Sequence, residues 1–171
     1  MTFRSKLFAA LLALASLFTI YAPQASAQAF TDYAENTIVD RMVRGQSSPS
    51  FPATWYVALF TSSCSDSAGG TEVSGGSYAR ASVTASLANF AGTQSSGSTS
   101  ASSGTGGVTS NNSAINFATP SAGWGTVTHW GLYDASSSGN LWICAALTSS
   151  KTINSGDSVS FAAGALSVTV Q

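Results

Sequence analysis

The sequence predicts a mainly β fold, an antiparallel β-sandwich or jelly-roll-like domain with one short N-terminal amphipathic helix. Three observations carry this. Helical spacing of apolar residues occurs in one stretch, Asp32 to Arg44. After Gly45 the chain breaks into short runs of aromatic and branched residues separated by Gly/Ser/Asn turns. Several of those runs alternate with the period of two expected of a half-buried strand.

Residues 1–27 read as a secretory signal. Arg4 and Lys6 precede a 14-residue apolar run from Leu7 to Ile20, followed by Pro23 and the small triplet Ala25-Ser26-Ala27. The run is short of the roughly 20 residues that span a bilayer, so cleavage before Gln28 is expected rather than an uncleaved anchor. The expected mature chain, Gln28 to Gln171, is 144 residues. It divides into a helix and linker over 28–48 and a β domain over 49–171. A domain of that size buries roughly 68–70% of its unfolded surface and needs no metal to hold it.

In the helix, Thr31 or Asp32 can cap the N-terminus, and Glu35 stands three residues beyond Asp32. Ala34, Ile38 and Met42 recur every four residues with Val39 and Val43 beside them, which makes an apolar stripe. Asp40 and Arg44 form an i,i+4 pair, and Gly45 follows at the expected C-terminal position. The stripe must pack on the chain's own β domain or on copies of itself. If copies associate, Ala34, Ile38, Met42 and Val39 are the expected contact.

The strands follow in order. Thr54 to Ser62, "TWYVALFTS", reads as a buried strand, and "DSAGG" turns the chain. "SYARASVT" puts Tyr78 and Arg80 on one side and Ala79, Ala81 and Val83 on the other. Gly92 to Ser113 is a polar loop in which 17 of 22 residues are Gly, Ser or Thr; Thr-rich strands inside it stay an open alternative. "AINF" is short. "WGTVTHWGLYDA" places Val127, His129, Gly131 and Tyr133 on one face and Thr128, Trp130 and Leu132 on the other. The turn "SSSGN" joins it to "NLWICAALT" as a hairpin. In "ALSVTV" Leu166, Val168 and Val170 are expected to face inward.

Chemistry is sparse. Beyond residue 27 there are four positive and seven negative side chains, too few and too scattered for nucleic acid or an anionic membrane surface. No nucleophile elbow, zinc-protease helix or phosphate loop is present, so no catalytic residue, metal site or cofactor is expected. His129 stands alone in a strand, and Asp66, Glu72, Asp134 and Asp157 occupy turn-rich segments where carboxylates cap backbone. Cys64 and Cys144 suit a disulfide in an oxidising compartment, where closing 80 residues would stabilise by roughly 4 kcal/mol; two separate buried thiols are the alternative. Trp124 and Trp130 share strand parity, and either stack on a ligand or pack in a core or interface.

The segments "AFTDYAENTIVDRMVRG", "TWYVALFT", "GGTEVSGGSYAR", "NSAINFATPSAGWGTVTHWGLYDASSSGNLW" and "SKTINSGDSVSFAAGAL" resemble a family of small bacteriophage virion proteins of the tail-fibre or tail type. The likeness runs from about Ala29 to Val170. It implies a non-enzymatic, β-rich structural subunit present in many copies, and it supplies no catalytic residues. The signal and the two cysteines depart from that pattern and point to an exported protein, periplasmic, extracellular or on the cell surface, with the virion as the other location. The expectation is therefore a self-assembling subunit of a fibre or surface assembly. Its partners are copies of itself, other virion or cell-surface proteins, or surface glycans. The competing expectation is an adhesin-like module binding a glycan or receptor through exposed tryptophans.

Overall fold

The computed structural model describes residues 29–93, 97–104 and 106–170. The signal sequence expected at residues 1–27 lies outside them. The elements run β1 (Ala29–Phe30), α1 (Asp32–Met42), β2 (Thr54–Phe60), β3 (Ala81–Thr84), β4 (Val108–Ser110), β5 (Ile115–Asn116), β6 (Gly125–Tyr133), β7 (Leu141–Ile153), β8 (Ser160–Phe161) and β9 (Ser167–Thr169). β1, β7, β6, β2 and β3 lie side by side in one sheet, while β4–β9 and β5–β8 form two-stranded ribbons. Every strand pair among them is antiparallel. The protein is thus mainly β with one short helix, as its patterning predicts. β4 is a Thr-containing strand within the polar 92–113 segment, where low hydrophobicity hides it.

The ribbons cover one face of the sheet, in a sandwich-like arrangement. Val57 and Leu59 of β2, Trp130 and Leu132 of β6 and Ala145 of β7 share a buried cluster with Ile115 of β5 and Val168 of β9. Such a sheet buries alternate residues against a second layer and leaves the intervening ones to the other face. Asn111 is the polar hub that ties the segments flanking the two ribbons together. Its amide donates to the Ser113 and Ala162 carbonyls, both at 2.8 Å, and its side-chain oxygen accepts from the Leu166 N–H at 2.9 Å.

Two bulges set which residues meet that core. Val127 pairs with Lys151 and His129 with Ala146, so Leu147 to Ser150 of β7 stand opposite Thr128 alone. This break in alternation turns Val127 to the side of Trp130 and Leu132, in place of the opposite face that strict parity predicts. A second shift leaves Trp142 as the extra residue between Leu141 and Ile143, and both Trp142 and Ile143 join the main core. Val170 also departs from expectation. It lies past the last β4–β9 pair and is exposed, while Leu166 and Val168 are buried.

The sheet's other face carries a smaller cluster of Ala58, Phe60, Leu141 and Cys144, with Cys64 and Tyr133 against it. Gly131 keeps this face thin: a β-carbon there would approach Leu141 and Phe60 atoms to within 2.7 and 2.8 Å. The hairpin between β6 and β7 is pinned by Asp134, whose carboxylate accepts from the Asn140 N–H at 2.7 Å, the Asn140 side-chain amide at 2.8 Å and the Trp142 indole at 3.2 Å. Burial alone would raise the Asp134 pKa, but these donors outweigh it and hold the carboxyl below its ordinary range.

Candidate assembly surface

The surface is built from the N-terminal arm, β1 and α1. Thr31 caps the helix. Its backbone is extended and its hydroxyl lies 3.4 Å from the Ala34 N–H. The same residue anchors the arm, because its N–H donates to the Trp142 carbonyl at 3.0 Å and its hydroxyl donates to the Leu141 carbonyl. On the opposite flank the Asp32 N–H donates to the Asp66 carbonyl at 2.9 Å. The face that meets the sheet is made of small residues, Ala34 and Thr37, both buried. The Tyr33 ring meets Trp142 edge-on, with centroids 5.3 Å apart.

The expected contact stripe is corrected by this packing. Ala34 is fully buried in the chain's own core, so it cannot meet a second copy. Ile38 is half-buried. Val39 (50% exposed), Met42 (76%) and Val43 (80%) form the open apolar surface. The reason is geometric. Residues spaced by four advance 40° more than one helical turn, so the row from Ala34 to Met42 winds off the sheet.

The helix end and the following linker are held as a unit. Arg41 donates to the Ser47 carbonyl at 2.6 Å and the Pro49 carbonyl at 3.1 Å, and its guanidinium lies 5.0 Å from the centroid of the Phe51 ring. Phe51 in turn tilts against Trp142 at 5.9 Å. Gly45, at φ +67°, reverses the chain, and the Gln46 N–H closes back on the Asp40 carbonyl at 2.9 Å. Arg44 pairs with Asp40 at 2.7 Å. The apolar residues thus sit at a helix end that is tied to its own linker.

A family model described as podophage GP4 fiber I protein gp80 matches residues 29–169. The chain belongs to this family. The match takes in the arm, the sheet and both ribbons, and it starts at the first residue of β1. No match is found among curated proteins. The fiber I family makes the chain a phage fibre structural protein.

In this fiber I family member the predicted stacking residues are not at the surface. Trp124 is 5% exposed and Trp130 4%. The Trp124 indole donates to the Gly76 carbonyl at 2.9 Å and its ring meets Tyr78 at 5.2 Å; Trp130 lies against Phe161 at 6.3 Å. Tyr78 and Phe117 enclose Trp124 and Phe161 of β8 lies on Trp130, so neither ring is placed to stack on a ligand. Cys64 and Cys144 are joined by a disulfide, with Cα atoms 6.5 Å apart. His129 has its Nδ1 2.9 Å from the Thr128 hydroxyl. Asp157 caps the Asn154 N–H at 2.7 Å, as a turn carboxylate does.

One constellation in this fiber I chain escapes strand-by-strand reading. Arg80 grips both Glu72 oxygens at 2.8 and 2.7 Å, donates to the Ala135 and Ser138 carbonyls, and lies 3.5 Å from the centroid of the Tyr133 ring. The Tyr78 hydroxyl donates to Glu72 at 3.0 Å and accepts from the Leu59 N–H at 2.9 Å. Burial pushes the Tyr78 phenol well above its usual range. Burial opposes the Arg80 charge, but the Glu72 bonds outweigh it and raise its pKa. With every group engaged, this is a clamp between the segment before β3 and the β6–β7 turn. The shared side of Tyr78 and Arg80 was its one signal in the sequence. Among the described residues no group of three or more His, Cys, Asp or Glu gathers to hold a metal ion.

Proposed function

We propose that the chain is a self-associating structural subunit of a phage-type fibre, and that copies meet through the arm face of Val39, Met42 and Val43. The observation that carries this is three large apolar side chains, half or more exposed, side by side on one braced helix. The fibre family supports the setting, because fibres repeat subunits. Low charge supports it too, since close contact between copies then meets little like-charge repulsion. Burying Met42 and Val43 fully would contribute roughly 1.5–3 kcal/mol per side chain and contact.

The test is light scattering after size exclusion on protein recovered from the exported fraction. A discrete multimer that Met42→Asp together with Val43→Asp reduces to single chains, with unchanged circular dichroism, is the expected result. Multimers that survive both substitutions would show that the contact lies elsewhere. Export itself is part of the proposal, supported by the Cys64–Cys144 bond and the leader-like first 27 residues. Amino-terminal sequencing of the recovered protein should begin at Gln28.

A further inference from the structure

We propose that the Cys64–Cys144 disulfide is a redox-sensitive clasp for the N-terminal arm, which is docked in the oxidised protein and loosened in the reduced one. The placement of the two cysteines carries the argument. Cys144 is the β7 residue that pairs with Ala29, and its neighbour Ile143 pairs with Phe30. Cys64 sits in the loop whose Asp66 carbonyl receives the first N–H of α1 at 2.9 Å. The start of the arm therefore lies between two walls, β7 on one side through the Thr31 anchor and the 61–70 loop on the other through Asp66. The disulfide is the covalent tie between those walls.

The arm's own hold is modest. β1 offers two paired residues, the fully buried side chains of the arm, Thr31, Ala34 and Thr37, are small, and its aromatic residues Phe30 and Tyr33 are only partly buried. The loop is likewise dependent on the bond. Ser62, Ser63 and Ser65 to Ala68 are exposed, and its internal closure rests on the Ser65–Ala68 pair and on Thr61 and Ser62 bonding Thr71 at its base. Cys64 attaches its middle to the outer-face cluster, and Gly69 lies against Phe60 and Tyr133 near the loop's end. Opening the bond frees the loop, and with it one wall of the arm's seat. The main core contains neither cysteine, and of the arm only Ala34 belongs to it, with Phe30 and Tyr33 partly buried against it.

The chemistry closes with a dithiol as reductant. Its thiolate attacks Sγ of Cys64, the less buried of the two residues, and breaks the S–S bond with Cys144 leaving as thiolate. The second thiol of the reductant then displaces Cys64, and the dithiol ends as a cyclic disulfide, having supplied two electrons. Both cysteines take up protons. The arm is thus docked where disulfides persist and loose where they are reduced.

Hydrogen–deuterium exchange with mass spectrometry tests this on the whole purified protein, oxidised, after dithiothreitol, and as Cys64→Ser. Alkylation mass reports whether the bond has opened. The expected result is exchange roughly tenfold or more faster over residues 31–43 and 61–70, with β2 and β6 still protected, in keeping with local opening of one cooperative unit. Unchanged exchange in the arm would overturn the proposal. So would equal loss of protection across β2 and β6, which would make the bond a general staple, or a bond that stays closed in the folded protein under the reductant. Should Cys64→Ser fail to fold, the reduced native chain decides alone.

Discussion

Replacing Arg80 by alanine should be among the more damaging single changes on this molecule's periphery. The Arg80 side chain is 7% exposed and that of Glu72 27%, which places the pair between two regimes. Exposed ion pairs contribute about 0.2–1 kcal/mol, whereas breaking a buried one costs about 3–5 kcal/mol because the remaining charge is stranded. Glu72 would keep its Tyr78 bond and some solvent, so the upper figure is discounted. The two carbonyls of Ala135 and Ser138 would lose their donor as well. About 2–4 kcal/mol is the expected cost. Arg80→Lys keeps the charge but not the fork or the stacking on Tyr133, and about half that cost is expected. Urea unfolding followed by tryptophan fluorescence reads both, with a midpoint lowered by roughly 1–2 M for alanine. A double-mutant cycle with Glu72→Ala should show coupling of about 1–3 kcal/mol. An alanine cost below about 0.5 kcal/mol, with no coupling, would refute the clamp and return Arg80 to the class of surface charges.

Two further outcomes follow from buried or hydrogen-bonded polar groups. Asn111→Asp should destabilise by about 3 kcal/mol or more, because a buried carboxylate would face the Ser113 and Ala162 carbonyls that the amide now serves. The folded-state pKa of that new acid is raised, so its penalty should shrink as pH falls, measured as the melting-temperature gap to the parent protein across pH 4–7. For Asp134 the sign is opposite. Its folded pKa is depressed, so its stabilising effect is fully present above the unfolded carboxyl value of about 3.9 and is lost as pH falls through the lower folded value. The stability difference between the parent and Asp134→Asn should therefore be constant from pH 5 to 7 and decline below about pH 4, read by urea titration at each pH.

Much of the local architecture is legible in the residues themselves. The helix begins where Thr31 and Asp32 announce a cap and turns back at Gly45, and the hairpin joining β6 to β7 lies at the Ser/Gly/Asn turn. These signals act within a few residues, through capping geometry, turn conformations and side-chain period, so they survive without knowledge of the fold. The short strand Val108–Ser110 was hidden because pairing with Ser167–Thr169, not its own hydrophobicity, makes it a strand. Parity failed at Val127 for a related reason: four residues of β7 stand opposite one of β6, a mismatch set by the partner strand.

The sequence alone determined the class: an antiparallel β protein of low charge, with one helix and fibre-type relatives. Tertiary structure decided everything that depends on residues distant along the chain. It buried Trp124 against Tyr78 and Phe117 and Trp130 against Phe161, gave Ala34 to the core while leaving Met42 and Val43 outside, and joined Arg80 to carbonyls 55 and 58 residues away. It also brought Cys64 beside Cys144 across 80 residues. Local propensity carries no information about which of two apolar faces meets a second layer, because burial is a property of the packed neighbours and not of the residue.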